Sequence, residues 1–185
     1  MSAWVWILLI LVIVLLVIIA WLVVTRRRSE QLRAGFGPEY QRAVAERGDR
    51  RHAESELAAR QERVEALHIR PLPPADRERF ATDWHTAQAH FVDDPGSAIQ
   101  DADHLVAEVM QARGYPVGKF EQRAADISVD HPDVVEHYRA AHQIAETNGR
   151  GEANTEDLRQ AMVHYRALFE ELLGTREQKP KEVRS

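Results

Sequence analysis

Cysteine is absent from the 185 residues, which excludes a disulfide framework, a thiolate metal site and a cysteine nucleophile. Lysine is nearly absent, since only Lys119, Lys179 and Lys181 of the 24 basic residues are lysines. No charge of either sign precedes Arg26, and between Ala3 and Val24 there is no Gly, Pro, Ser or Asn. The alternation of apolar and polar residues that marks a half-buried strand is missing; the only β-like run, Asp126 to Asp130, is too short to count. Nucleotide binding finds no support, because no G-x-x-x-x-G-K occurs and Gly149-Arg150-Gly151 lacks both a third Gly and a preceding strand. Serine hydrolase chemistry finds none either, for want of a G-x-S-x-G elbow.

What is present begins with the uncharged run. Its roughly 22 residues at ~1.5 Å each span ~33 Å as a helix, enough for a hydrocarbon core of ~30 Å. Trp4, Trp6 and Trp21 stand near its ends, where an indole can keep its ring apolar and its N–H wet. A cleaved signal peptide fits poorly: no Lys or Arg precedes the run, and no small-x-small cleavage site follows it. The expectation is a single transmembrane helix over residues 1–28, inserted through Ala3–Val24, N-terminus out. Arg26, Arg27 and Arg28 then meet anionic lipid headgroups on the cytoplasmic side, each with ~1 kcal/mol to gain. Without polar residues inside it, such a run is a passive tether and carries no ion path.

Charge is unevenly spread over the remainder. Residues 26–70 hold 11 of the 24 basic and 8 of the 29 acidic residues, a net of +3, which leaves −8 for residues 71–185. A distal acidic domain lacks the basic footprint of a nonspecific nucleic-acid binder, so no nucleic-acid partner is expected.

Residues 29–70 read as a juxtamembrane stalk of helices. Gly35-Phe36-Gly37-Pro38 interrupts the first, Pro38 opens the next, and Gly48-Asp49 breaks it. Leu57, Arg60, Val64 and Leu67 give one heptad, too little for a coiled coil. Ile69-Arg70-Pro71-Leu72-Pro73-Pro74 cannot continue a helix and marks a boundary. Residues 71–174 then read as an all-α bundle of four to five helices. Phe80, Trp84, Ala87 and Phe91 share a face of a helix from about Ala75 to Val92. Asp94 caps a second helix, whose core face is Ala98, Ala102, Leu105 and Val109 and which Gly114 ends. A short helix over Phe120–Ala125, a turn through Asp126–Pro132, a helix from Pro132 and a last helix capped at Asn154 or Thr155 complete the set. Trp84, Phe91, Leu105, Val109, Tyr138, Tyr165 and Phe169 are its expected centre. The polar tail, 175–185, reads as disordered.

Three sets of residues are candidates for chemistry. Asp101 and His104 stand at i,i+3 and Glu108 follows at i+4, a spacing that puts metal ligands on one helical face. The core stripes nevertheless lack inward carboxylates, so no metal or other cofactor is expected. Asp126, Ser128 and His131 cluster as turn and capping groups. The long connection from Gly114 to Pro132 carries Tyr115, Lys119, Arg123 and His131, which are expected on one exposed rim for a protein partner.

Phe36-Gly37-Pro38-Glu39-Tyr40, Ile69-Arg70-Pro71-Leu72, Arg113-Gly114-Tyr115-Pro116, Ser128-Val129-Asp130-His131-Pro132 and His164-Tyr165-Arg166 together resemble an uncharacterised family of bacterial, actinobacterial-type single-pass membrane proteins. The resemblance implies a cytoplasmic helical domain behind an anchor and supplies no catalytic residue. The reading is a membrane-tethered cytoplasmic interaction or scaffolding module that binds a protein partner or itself. A helical protein binding a metal or small ligand through His, Asp or Glu is the alternative.

Overall fold

The computed structural model describes residues 3–174, residues 3 and 5–10 by their backbone alone. These residues form eight helices and no strand: α1 (Ala3–Phe36), α2 (Pro38–Arg47), α3 (Arg50–Glu65), α4 (Pro74–Asp93), α5 (Pro95–Arg113), α6 (Phe120–Asp130), α7 (Val135–Gly149) and α8 (Thr155–Leu173). The fold class is all-α. The expectations for the Trp6 side chain and for the tail 175–185 lie outside what the structure describes.

The expected transmembrane helix requires correction. Among the described residues no helix is long and apolar enough to cross a membrane. The apolar run does not form a helix of its own: α1 continues past Val24 through Arg26, Arg27, Arg28, Glu30 and Arg33 to Phe36.

By its internal contacts the chain divides into two units, Met1–Ala58 and Ala59–Ser185. In the first, α1 ends at Gly37, whose φ of 48° and ψ of −123° suit glycine alone, and Pro38 starts α2 at its first turn. Leu32, Phe36, Tyr40, Ala43, Ala53 and Leu57 are buried. Glu54 gathers three donors on one carboxylate oxygen: Ser29 Oγ at 2.5 Å, Tyr40 Oη at 2.7 Å and Arg50 Nε at 2.8 Å. Burial alone would raise the Glu54 carboxyl, but these hydrogen bonds outweigh it and hold the group below its ordinary range. Residues 29–58 therefore form a folded element with its own buried side chains, where the composition suggests a solvated stalk.

The second unit is built on α5. Ala98, Ile99, Ala102, Leu105, Val106, Val109 and Met110 are all buried, and α5 packs against α4, α7 and α8. Its N-terminus is fixed by Asp94, whose carboxylate accepts from Ser97 N at 3.1 Å and Ser97 Oγ at 2.7 Å. Helix α8 opens with a capping box: Asn154 Oδ1 accepts from Glu156 N and Asp157 N, and Asp157 accepts from Asn154 N. Its apolar stripe meets α4 through a Trp84–Phe169 stack, with centroids 4.6 Å apart. Of the expected centre only Phe91 is displaced, packing half-buried against the core.

Two local expectations give way to packing. Helix α6 continues to Asp130, so the expected turn is helical; Ala124, Ile127 and Ser128 supply its buried face. Helix α7 begins at Val135, with Pro132 left in the preceding turn. The proline segment also proves to be part of this unit. Arg70 N donates to Arg113 O at 2.9 Å, Leu72 is buried and Ile69 packs on the core. Gly114, at φ 103°, has no side chain, and a Cβ there would stand 2.7 Å from His68 O. The last turns of α3 belong here too, because Arg63 donates twice to the buried Asp126 of α6, at 2.8 and 3.0 Å.

Candidate functional site

The four residues expected on one rim are separated by the fold. Tyr115 is only 2% exposed, and its hydroxyl donates to Asp130 Oδ2 at 2.7 Å. Burial, then the bond to Asp130, pushes its phenol far above the ordinary range. Lys119 is exposed as the residue preceding α6. Arg123 and His131 are half-buried and face different neighbours. The rim therefore does not form: the large apolar bodies of Tyr115 and Arg123 gain more from burial than from display.

Asp101, His104 and Glu108 lie along α5 beside an open pocket of about 240 Å³ that Asp83, Thr86 and Leu105 also line. Asp101 is engaged by His90 Nδ1 at 2.8 Å, and His104 Nδ1 by Glu108 at 3.2 Å. Among the described residues no group of three or more His, Cys, Asp or Glu could hold a metal ion. Arg26, Arg27 and Arg28 are exposed on α1.

The polar chemistry that the fold assembles lies between α5, α6, α7 and α8. Tyr165 donates to Asp103 Oδ1 at 2.9 Å, and His142 Nδ1 stands 3.8 Å from the same oxygen, beyond hydrogen-bond range. Burial acts to raise the Asp103 carboxyl, but His142, the Tyr165 bond and the charge of Arg123 together hold it below its ordinary range. Burial, reinforced by Asp103, pushes the Tyr165 phenol far up, and burial does the same to Tyr138. Phe120 stacks on His142 with centroids 3.6 Å apart and meets Tyr138 edge-on at 4.9 Å. Three buried atoms here have no hydrogen-bond partner: Arg123 Nε, Tyr138 Oη and His142 Nδ1. Beside this group, His137 Nδ1 and His164 Nδ1 are 2.9 Å apart, so one imidazole donates and the other accepts. Burial, then His137, lowers the His164 pKa below its ordinary value. The arrangement can hold one carboxylate ionised inside a helical bundle and share protons along its edge.

Sequence reasoning missed this cluster, although its signal was present. Asp103 falls on the stripe Ile99–Asp103–Val106–Met110, whose other members are all buried, and a 4-3-4 spacing places a carboxylate on that face. A second group gathers where α5 and α8 end. His131 Nδ1 pairs with Glu171 Oε1 at 3.1 Å, and its Nε2 lies 3.4 Å from Arg113 Nη1, which donates to Leu172 O at 3.1 Å.

The chain matches no protein-family model, no curated protein and no solved structure. The family resemblance drawn from its short motifs gains no support from these comparisons.

Proposed function

We propose that the protein is a membrane-localised helical interaction module: α1 seats its apolar surface in lipid, and the unit from Ala59 onward is offered to a protein partner or a second copy. One observation carries the reading. Leu11 to Ile19, with Trp21 to Val24, are exposed by between 42% and 64% on every face of α1, so among the described residues of its own unit nothing covers this apolar segment. Single exposed apolar residues are ordinary, whereas a contiguous surface of this kind marks a lipid or protein contact. Arg26, Arg27 and Arg28 follow directly, placed to meet the anionic headgroups of a cytoplasmic leaflet. Within α1, Thr25 Oγ1 returns its hydrogen bond to Trp21 O and Leu22 O, both at 3.0 Å, so the side chain needs no water.

Vesicle flotation of the full chain tests the proposal. The protein should rise with neutral and with anionic vesicles, more completely with the latter. Replacing Arg26, Arg27 and Arg28 by Gln should remove the preference for anionic lipid and leave the neutral binding. Recovery of the wild-type chain in the bottom fraction with both vesicles, as a discrete oligomer, would assign the apolar surface to self-association instead.

A further inference from the structure

The pocket where α5 and α8 end holds more cationic donor capacity than the protein itself uses. It measures about 210 Å³ and is lined by Arg77, Arg113, His131 and Glu171, with Leu72 and Leu173 among its apolar walls. Part of Arg113 has a structural duty, because Nη1 satisfies Leu172 O at the C-terminal end of α8 and faces His131 Nε2. That contact also orients the imidazole, with Nε2 toward the guanidinium and Nδ1 toward Glu171. Two capacities remain. On Arg113, no bond among the described residues engages Nη2. Arg77, in the first turns of α4, has no ion-pair partner among the described residues. An unpaired guanidinium facing a recess costs free energy that an oxyanion recovers, and its forked donors match a carboxylate.

The charge count narrows the occupant. Two guanidiniums against the Glu171 carboxylate leave an excess of positive charge among the described lining residues, which suits an anion. The apolar side has equal weight: Pro71, Leu72, Leu172 and Leu173 form walls that a fully hydrated ion leaves unused. We infer that this pocket binds a small aliphatic monocarboxylate, its carboxylate held by Arg77 and Arg113 and its hydrocarbon body laid against Leu72 and Leu173. Glu171, tied to His131, supplies the opposing charge that keeps such binding weak and reversible.

Titration calorimetry on the full chain in a non-ionic detergent tests this, with hexanoate, inorganic phosphate and hexylammonium as probes. Hexanoate should bind saturably, and phosphate and hexylammonium at least tenfold more weakly. Arg77→Gln should weaken hexanoate at least tenfold with the melting temperature nearly unchanged, since Arg77 makes no ion pair or side-chain hydrogen bond among the described residues. Arg113 also caps α8, so its variant is not the deciding one. Glu171→Gln instead keeps an acceptor for His131, removes the opposing charge and should tighten hexanoate several-fold. The proposal is overturned if hexanoate shows no saturable binding, if Arg77→Gln binds it as the wild type does, or if phosphate or hexylammonium matches it.

Discussion

Gly114 ends α5 in a left-handed conformation directly beneath the backbone of His68. Gly114→Ala meets a carbonyl oxygen rather than a flexible side chain, so neither partner can yield cheaply. We expect a loss of about 1–3 kcal/mol, measured as a lower midpoint in urea with an unchanged slope. Asp103 makes the second case at this scale. Tyr165→Phe keeps the ring and removes the hydroxyl that donates to the carboxylate, for an expected cost of about 1–3 kcal/mol. The Asp103 carboxyl, followed by NMR titration, should then move up toward its ordinary value of 3.8. Glycine at a helix end could be read directly in the sequence, since the residue type itself announces the conformation. Tyr115 could not: an aromatic in a long connection reads as a contact residue, and only the packed structure places Asp130 within reach of its hydroxyl.

At the scale of elements, caps and stop signals were readable because their chemistry is local. Asp94-Pro95 and Asn154 act within three residues of themselves, and both helices begin where those residues stand. Asn154→Ala should cost about 1 kcal/mol, seen as a lower melting temperature with circular dichroism at 20 °C nearly unchanged. The length of α6 was not readable, because Asp126-Ile127-Ser128-Val129-Asp130 has weak helix propensity. Burial of Ile127 and Ser128 decides its conformation instead. The proline segment misled in the same way. Its prolines do stop a helix, yet the chain before them is bonded into the C-terminal unit through Arg63–Asp126 and Arg70–Arg113. A fragment from Ala59 to Gly174 should therefore melt several degrees above one beginning at Leu72. Equal melting temperatures would show that these contacts add nothing.

At the scale of the whole molecule, acid and lipid are the informative variables. His164 has a folded pKa below its ordinary 6.5, so its contribution is complete above pH 6.5. It is lost as pH falls from there through the folded value, because the unfolded chain takes up the proton first. Asp103 and Glu54 are lowered from 3.8 and 4.5, so their contributions hold above those values and vanish further into acid. Stability should fall in two steps on acidification, and His164→Asn should erase the first alone in a series of urea midpoints against pH. The apolar segment of α1 was evident from composition, but its expected crossing of a bilayer was not upheld, because among the described residues no helix is long and apolar enough to cross a membrane. Its exposed apolar surface is what the proposed function assigns to lipid. The absence of cysteine allows one clean measurement: Ile18→Cys, carrying a nitroxide label, examined with and without anionic vesicles. The account predicts that vesicles make the label more accessible to oxygen and shield it from a water-soluble nickel relaxant. A label that stays equally open to the nickel reagent in the presence of vesicles would contradict it.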